Sequence, residues 1–472
     1  MAHHEAVCEL TLAEVGERIK QGDVSPVEVA RACLDRIQRL NHAYNAAITV
    51  LADQALEDAR RSEREILGGL YRGPLHGVPV GIKDLADVAG APTTAGSHLF
   101  DGRTATVDAA VVRQLRAAGA SIMAKLNTDE FAYHPTGATS QFGPSRNPWD
   151  PAYMTGGSSG GSGAAVAARM VYGALGSDTG GSIRLPASAC GVVGIKPTYG
   201  RVSLAGMVLL APTFDTPGPL ARTTLDAALL LQGMVDPAFD AALREANRAS
   251  QFLSEIDASP AGLRVGVPAN YFFDGNDEEI TTLTRRAVDS LTKLGVDLVN
   301  VDLPTLPALA ESQVGILTLE AHANIMAATG GDLTKVNATL RARLELGLSN
   351  AIKPGEHPQV ALGRLRAVRD DALAGYRRAT GAIDLLVAPA MRRAPLRIDR
   401  ALQDYHALAD LTRPFNATQQ PVVCVPCGLT SAGVPLGLQI VATKYRERSA
   451  LRLARAFELS DAAPKNLRPP LP

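Results

Sequence analysis

Residues 154–186 read MTGGSSGGSGAAVAARMVYGALGSDTGGSIRLP, with glycine and serine concentrated in two short runs. The first run, Gly156-Gly157-Ser158-Ser159-Gly160, leads into GAAVAARM, whose composition favours a helix. VYGALGSD then predicts a strand, and Thr179-Gly180-Gly181-Ser182 predicts a sharp turn. We therefore expect two glycine-rich loops joined by a helix and a strand, an alternation typical of α/β folds.

Ser182 is the serine of this stretch that the local pattern favours as a nucleophile. The two glycines before it leave consecutive backbone N–H groups uncovered, and such amides can converge on one point to form an oxyanion hole. Residues 156–160 also match the G-x-S-x-G nucleophile elbow, but that turn needs a strand leading into it. Because Pro148 and Pro151 precede the match and argue against a central strand, we expect a supporting serine there.

Lys83 is the candidate base for that nucleophile. It interrupts the apolar, glycine-rich run HGVPVGIKDL, where a solvated lysine is unusual. Burial disfavours the ammonium form and lowers the pKa of a lysine, and the neutral amine can then accept a proton. The alternative is a lysine at a strand end that reaches water or pairs with Asp84. The residues alone leave both interpretations open.

The rest of the chain also alternates between strand and helix patterns. Helical spacing of apolar residues over 26–40 and about 51–67 predicts two early helices. Apolar runs such as GVPVGIKDL, GLRVGVPA, IDLLVAPA and PVVCVPC predict buried strands. We therefore expect an α/β fold with a central mixed, largely buried β-sheet covered by helices. The prediction is a single domain over 1–472, with a helical insertion near 305–380.

Composition and charge argue against several classes of function. Of 472 residues, 46% are hydrophobic and 20% are charged, as in ordinary soluble domains, and the net charge is −1. Without a basic excess we expect no binding to nucleic acid or to an anionic membrane. We see no secretory signal and no apolar run long enough to span a membrane, so we expect a cytoplasmic protein. Cys424 and Cys427 have CxxC spacing but lie in an apolar strand-like run, so we expect buried, unreactive thiols.

Three segments together resemble the amidase signature family. They are GVPVGIKDL, the block GGSSGGSGAAVAA…LGSDTGGSIRLPASACGVVGIKPTYGRV, and FNATQQPVVCVPCGL…GVPLGLQIV, which follow one another in the family's order. The resemblance covers about residues 10–460. It implies the family's α/β fold and amide hydrolysis by a Ser–Ser–Lys triad that needs no metal or cofactor.

The resemblance assigns a role to each candidate. It makes Ser182 the nucleophile, Lys83 the base, and Ser158 the bridging serine, which follows a cis peptide bond from Gly157. The implied oxyanion hole consists of the backbone amides of Thr179, Gly180, Gly181 and Ser182. Lys83 would accept a proton from Ser158, which accepts one from Ser182, and the proton would return to the leaving amine.

Neighbouring residues receive supporting roles. We expect Arg184 to organise the nucleophile's loop and Asp178 to hold its turn through hydrogen bonds to backbone N–H groups. We expect Ser159 and Ser162 to support the first loop or to cap the helix after it.

The sequence says least about the substrate. The segment DEFAYHPTG resembles the acyl-pocket lining of relatives, in which Tyr133 and His134 would contact substrate, with ordinary packing as the alternative. One branch of the family, the A subunit of the aminoacyl-tRNA amidotransferase, shares NTDEFA but continues with Met-Gly, whereas Tyr133-His134-Pro135 stands here. Our first expectation is therefore a stand-alone amidase, and we expect much of its specificity to come from 305–380.

That stand-alone amidase would cleave an aryl or alkyl amide, or a carbamate-, hydrazide- or urea-like amide. The alternative is the A subunit of the amidotransferase, which is a glutaminase, and a non-catalytic binding protein is a third hypothesis. The partner we expect is a small-molecule amide, with no nucleic acid and no membrane, and a homodimer is left open.

Overall fold

Eleven strands form one mixed sheet in the computed structural model, which describes residues 2–236, 251–465 and 467–470. In chain order the strands are β1 (Ala47–Val50), β2 (Pro79–Lys83), β3 (Ser121–Leu126), β4 (Gly173–Ser177), β5 (Val193–Lys196), β6 (Pro217–Ala221), β7 (Arg264–Pro268), β8 (Asp297–Val301), β9 (Leu385–Pro389), β10 (Val422–Leu429) and β11 (Pro435–Ala442). Their order across the sheet is β1-β3-β2-β4-β6-β5-β10-β11-β9-β7-β8.

The sheet combines parallel and antiparallel pairs. β2 runs parallel to β3 and β4, and β7 runs parallel to β8 and β9. The pairs that connect β4 to β9 through the centre are antiparallel. Every residue of β2, β3, β4, β5, β6, β9 and β11 is buried, which explains why most of these strands have no alternation of apolar and polar residues. The predicted fold class, a mixed and largely buried sheet with helices around it, is confirmed.

Fifteen α-helices are present in the described part of the chain. They are Ala2–Glu9, Leu12–Gln21, Pro26–Tyr44, Ala52–Leu67, Ala110–Ala117, Gly160–Ala167, Arg184–Cys190, Thr224–Met234, Glu278–Ser290, Leu306–Thr329, Ala338–Ala351, Pro358–Thr380, Ile398–Ala401, Arg413–Ala417 and Glu447–Leu459. None of these helices combines the length and the apolar character that a membrane crossing requires.

The helix predictions agree with the structure, with small changes at the ends. The early helices are Pro26–Tyr44 and Ala52–Leu67, and Ser25 caps the former by accepting a hydrogen bond from the N–H of Glu28 at 3.1 Å. Over 305–380 three α-helices occur, and the described residues there contain no strand.

The two cysteines with CxxC spacing are buried on β10, as predicted. Burial is the main cause that raises the pKa of both thiols, Cys424 and Cys427, above the ordinary value. A raised pKa keeps them as thiols at neutral pH.

The fold brings distant segments to one edge of the sheet. Since β2 and β4 are parallel neighbours, their last residues, Lys83 and Ser177, lie at the same edge. The helix Gly160–Ala167 begins directly after the first glycine-rich loop, and the helix Arg184–Cys190 begins two residues after Ser182.

Candidate active site

Lys83 ends β2 in the interior, with none of its surface exposed to solvent. Its Nζ lies 2.7 Å from Ser158 Oγ and 2.9 Å from the Oγ atoms of both Ser159 and Ser177. The tertiary structure thus places the ends of two strands and the first glycine-rich loop around one amine.

The protonation state of Lys83 follows from that environment. Burial lowers its pKa to about 7, and the carboxylates of Asp129, Asp178 and Asp215 limit the decrease. A neutral lysine amine has two N–H donors and one lone pair. It can therefore donate hydrogen bonds to two of the three serine hydroxyls and accept one from the third. The geometry suits an amine that accepts a proton from serine near neutral pH.

Asp84 does not pair with Lys83, although the two residues are adjacent in sequence. Its carboxylate lies 2.7 Å from Nζ of Lys125, a fully buried residue of β3, and accepts a hydrogen bond from the N–H of Thr94 at 2.9 Å. Because Lys125 neutralises Asp84, the ion-paired alternative for Lys83 does not hold.

Ser158 is fully buried and follows a cis peptide bond from Gly157, as the resemblance implies. The Ser158 carbonyl accepts a hydrogen bond from the N–H of Asp129 at 3.3 Å. The Asp129 carboxylate in turn accepts hydrogen bonds from the N–H groups of Gly137 and Thr139, both at 2.8 Å. A Cβ added at Gly157 would lie 2.0 Å from Asp129 Oδ2, so position 157 has room only for glycine.

Ser159 and Ser162 support the first loop from its inner side. Ser159 Oγ contacts Lys83 and accepts a hydrogen bond from the N–H of Ser177 at 3.2 Å, and its side chain makes no capping bond to the helix Gly160–Ala167. Ser162 Oγ donates to the carbonyl of Leu175 in β4 at 2.9 Å. Of the two roles expected for these serines, loop support agrees with the contacts.

Ser182 ends the second glycine-rich turn and is 8% exposed. Gly181 has a φ of +134°, and a Cβ there would lie 2.2 Å from Thr412 Oγ1, so the turn requires glycine. The N–H of Gly181 donates to Asp178 Oδ1 at 2.9 Å. Among the described residues, the N–H groups of Thr179, Gly180 and Ser182 have no hydrogen-bond acceptor. Three of the four amides expected for an oxyanion hole therefore have no partner within the described residues, and that of Gly181 is already engaged.

Asp178 and Arg184 form a buried ion pair behind this turn. Arg184 Nε and Nη2 contact the two carboxylate oxygens at 2.9 and 2.8 Å, and Asn416 Nδ2 donates to Oδ1 at 2.8 Å. Burial alone would raise the pKa of Asp178, but Arg184 and these hydrogen bonds hold it below the ordinary value. The contacts agree with the supporting roles expected for both residues. Within the described ranges, no three His, Cys, Asp or Glu side chains are grouped to hold a metal ion.

A small cavity of about 40 Å³ opens beside Ser182, and both Tyr133 and His134 line it. The Tyr133 hydroxyl lies 2.9 Å from Thr318 Oγ1, and His134 Nδ1 lies 2.8 Å from the hydroxyl oxygen of Thr136. The Arg343 guanidinium lies over the Tyr133 ring, 4.7 Å from its centroid, and also lines the cavity. Both predicted substrate-contact residues thus reach the cavity beside Ser182. The Tyr133 hydroxyl and His134 Nδ1 have protein partners there, whereas the buried His134 Nε2 has no hydrogen-bond partner among the described residues.

Sequence reasoning missed four residues of this site: Ser177, Gln313, Arg343 and Thr412. Ser177 directly precedes Asp178 at the end of β4, and pairing β2 with β4 would have placed it beside Lys83. The other three lie on or beside helices more than a hundred residues further along the chain, and no local motif marks them.

One family model matches most of the chain. The model is described as Amidase, and the match covers residues 28–451. This chain belongs to the amidase signature family. As a family member it is an amide-hydrolysing enzyme, and its α/β fold is the fold of the related amidases described next.

The relatives include amidotransferase subunits and a peptide amidase. The A subunit of glutamyl-tRNA(Gln) amidotransferase from Myxococcus xanthus is 37% identical, and the alignment covers 95% of this chain and 97% of that protein. The crystal structure of the same-named protein from Thermotoga maritima is 30% identical with a TM-score of 0.81, covering 99% and 98% of the two chains. The peptide amidase of Stenotrophomonas maltophilia is 29% identical with a TM-score of 0.84, covering 98% of each chain.

The expectation that nucleic acid plays no part is contradicted by these relatives. Relatives that align along nearly their whole length are named as subunits of an enzyme that acts on a glutamyl-tRNA. The net charge of −1 was a poor guide because it averages over the whole surface.

Proposed function

We propose that this chain is the amide-hydrolysing A subunit of a tRNA-dependent amidotransferase, and that it releases ammonia from the side-chain amide of glutamine. The observation that carries the proposal is the alignment with the A subunit of glutamyl-tRNA(Gln) amidotransferase over 95% of the chain. The buried amine of Lys83 among three serine hydroxyls supplies the chemistry that such a subunit needs.

In the proposed mechanism, Ser182 attacks the amide carbonyl as the nucleophile. Ser158 accepts the proton of Ser182 and gives its own proton to the neutral Lys83 amine. The attack creates a C–O bond and a tetrahedral oxyanion, which the amides of Thr179, Gly180 and Ser182 stabilise. Collapse breaks the C–N bond while the proton returns through Ser158 to the leaving nitrogen, and ammonia departs. Water then hydrolyses the ester on Ser182 through the same relay.

The helical region 305–380 contributes to substrate choice in this proposal. Thr318 lies in the helix Leu306–Thr329 and contacts the Tyr133 hydroxyl, and Arg343 of the helix Ala338–Ala351 covers the Tyr133 ring. Two of the three helices therefore shape the wall of the cavity beside Ser182.

The decisive experiment measures ammonia release from L-glutamine by the full chain, alone and after co-expression with the partner subunits of such an enzyme plus glutamylated tRNA. We expect release to depend on the partners and the charged tRNA, and the variant Ser182→Ala to abolish it. Equal glutamine turnover by the chain alone would refute its assignment to an amidotransferase. Undiminished turnover in Ser182→Ala would refute the mechanism.

A stand-alone amidase is the second candidate, favoured by the Tyr133-His134-Pro135 sequence in the cavity wall. A peptide amidase shares the fold at a TM-score of 0.84. This candidate predicts that the isolated chain releases ammonia or amine from simple amides. A panel of aryl, alkyl and peptide amides, screened with the isolated chain, distinguishes it from the first candidate.

A further inference from the structure

Four successive carbonyl groups in the turn before Ser182 each accept a hydrogen bond from a different residue. The Asp178 carbonyl accepts from Asn416 Nδ2 at 3.3 Å, and the Thr179 carbonyl accepts from Gln313 Nε2 at 2.8 Å. The Gly180 carbonyl accepts from Thr412 Oγ1 at 2.6 Å, and the Gly181 carbonyl accepts from the N–H of Leu185 at 2.8 Å. The orientation of every peptide group in the turn is therefore fixed by its carbonyl.

The bond from Gln313 has a particular consequence for the oxyanion hole. The Thr179 carbonyl and the Gly180 N–H belong to one trans peptide group, in which C=O and N–H point in opposite directions. Holding the carbonyl against Gln313 therefore turns the Gly180 N–H away from that helix. This N–H has no acceptor among the described residues, and Gly180 lines the cavity beside Ser182.

Because residue 180 is glycine, the Thr179–Gly180 peptide group needs the hydrogen bond from Gln313 to stay in one orientation. A glycine without a Cβ moves between backbone conformations more freely than any other residue, so an unheld Thr179–Gly180 peptide could flip. A flipped peptide would turn the Thr179 carbonyl oxygen toward the position of the oxyanion and replace attraction with repulsion.

Gln313 lies in the helix Leu306–Thr329 and contacts the turn from there. Its side chain is fully buried, and its Oε1 has no hydrogen-bond partner among the residues described. The bond from Nε2 to the Thr179 carbonyl is therefore the one hydrogen bond that this side chain makes to the described residues. One helical turn later, Leu317 lines the cavity, so the same helix borders the space beside Ser182.

We propose that Gln313 is a positioning residue that sets the Gly180 N–H for the oxyanion, an inference that rests on the proposed role of Ser182. Gln313 does not touch the reacting atoms. It acts through the Thr179–Gly180 peptide, and it makes the helical region 306–329 part of the machinery that stabilises the transition state.

The test is the variant Gln313→Met, which keeps the length of the side chain but removes the donor. Ser312→Ala is the matched control, because Ser312 is fully buried in the same helix and its hydroxyl donates only to the Leu309 carbonyl at 3.1 Å. With the full chain and 4-nitrophenyl butyrate as the probe, we expect Gln313→Met to lower kcat about tenfold to a hundredfold. KM should stay within about twofold, since the bond matters more in the transition state than in the bound substrate.

Infrared spectroscopy of the acyl-enzyme separates positioning from a general structural loss. The ester of Ser182 with [1-¹³C]butyrate should show a carbonyl band at lower frequency in the native chain and in Ser312→Ala than in Gln313→Met, because hydrogen bonds weaken the C=O bond. If Gln313→Met does not fold, Gln313→Leu serves instead, since leucine is smaller than methionine and also has no donor.

Two results would overturn the inference: an unchanged kcat in the folded variant, or a lowered kcat with an unshifted carbonyl band. Failure of the proposed function is recognised separately. An acyl adduct that still forms in Ser182→Ala would place the nucleophile elsewhere and would remove the basis for both proposals.

Discussion

The pH dependence of acylation gives the sharpest test of the Lys83 assignment. Only the neutral amine can accept a proton, and burial lowers the Lys83 pKa from an ordinary value of 10.5 to about 7. At pH 7 about half of the molecules then carry the neutral base, compared with roughly 3 in 10,000 for a solvated lysine. The buried environment thus raises the population of active base on the order of a thousandfold at neutral pH.

The expected profile follows directly from that titration. Below pH 7, kcat/KM should rise about tenfold per pH unit, and it should level off above about pH 8. The assay is stopped-flow acylation by 4-nitrophenyl butyrate between pH 5 and pH 10, with the circular dichroism spectrum recorded at each pH to confirm that the chain stays folded. Lys83→Arg serves as the control, because an arginine stays protonated over this range and should be inactive throughout.

Two profiles would refute the reasoning. A rate that keeps rising toward pH 10.5 would mean that Lys83 titrates like a solvated lysine. A flat profile from pH 5 to pH 10 would mean that its deprotonation does not control acylation.

Three further predictions address stability and the turn. Lys83→Met should abolish turnover yet raise the free energy of unfolding by about 2 kcal/mol at pH 7. The substitution removes the cost of burying the lysine, about 5 kcal/mol, and it also removes one hydrogen bond from each of three serine hydroxyls, at about 1 kcal/mol each. The unfolded chain keeps the Lys83 proton up to pH 10.5, whereas the folded chain loses it near pH 7. The stabilisation by Lys83→Met should therefore shrink as the pH rises from 7 to 10.5. Urea unfolding of both chains at several pH values measures this change. Arg184→Met should cost about 3–5 kcal/mol in urea unfolding, because it leaves the Asp178 carboxylate buried without its cation. Gly181→Ala should lower kcat at least a hundredfold while Gly433→Ala does not, since both glycines have positive φ but open space surrounds only Gly433.

Much of the fold could be read from local patterns. The runs that became β2, β4, β7, β9 and β10 are apolar and bounded by glycine or proline, and burial on both faces explains why they do not alternate. β6 gave no such signal, because its sequence PGPLA contains two prolines that lack a donor for the ladder. The short strands β1 and β5 were also missed, since four residues carry little periodicity.

Some residues of the site could be predicted from local sequence, and others could be found only in the tertiary structure. The glycines before Ser182 and the lysine within an apolar run suggested a nucleophile and a base, because a missing Cβ and an unusual charge are visible in the chain itself. Gln313 and Thr412 could not be recognised, since a single hydrogen bond to a backbone carbonyl leaves no sequence pattern.

The sequence by itself determined most of the strands, which turns need glycine, and which serines and lysine are candidates for catalysis. The tertiary structure decided that Lys83 meets Ser158, Ser159 and Ser177, although 75 or more positions separate it from each of them. It also decided that Asp84 pairs with Lys125 instead. The physical reason is that the pKa of a lysine depends on burial and on the charges around it, and both arise only when strands from distant parts of the chain come together in one sheet.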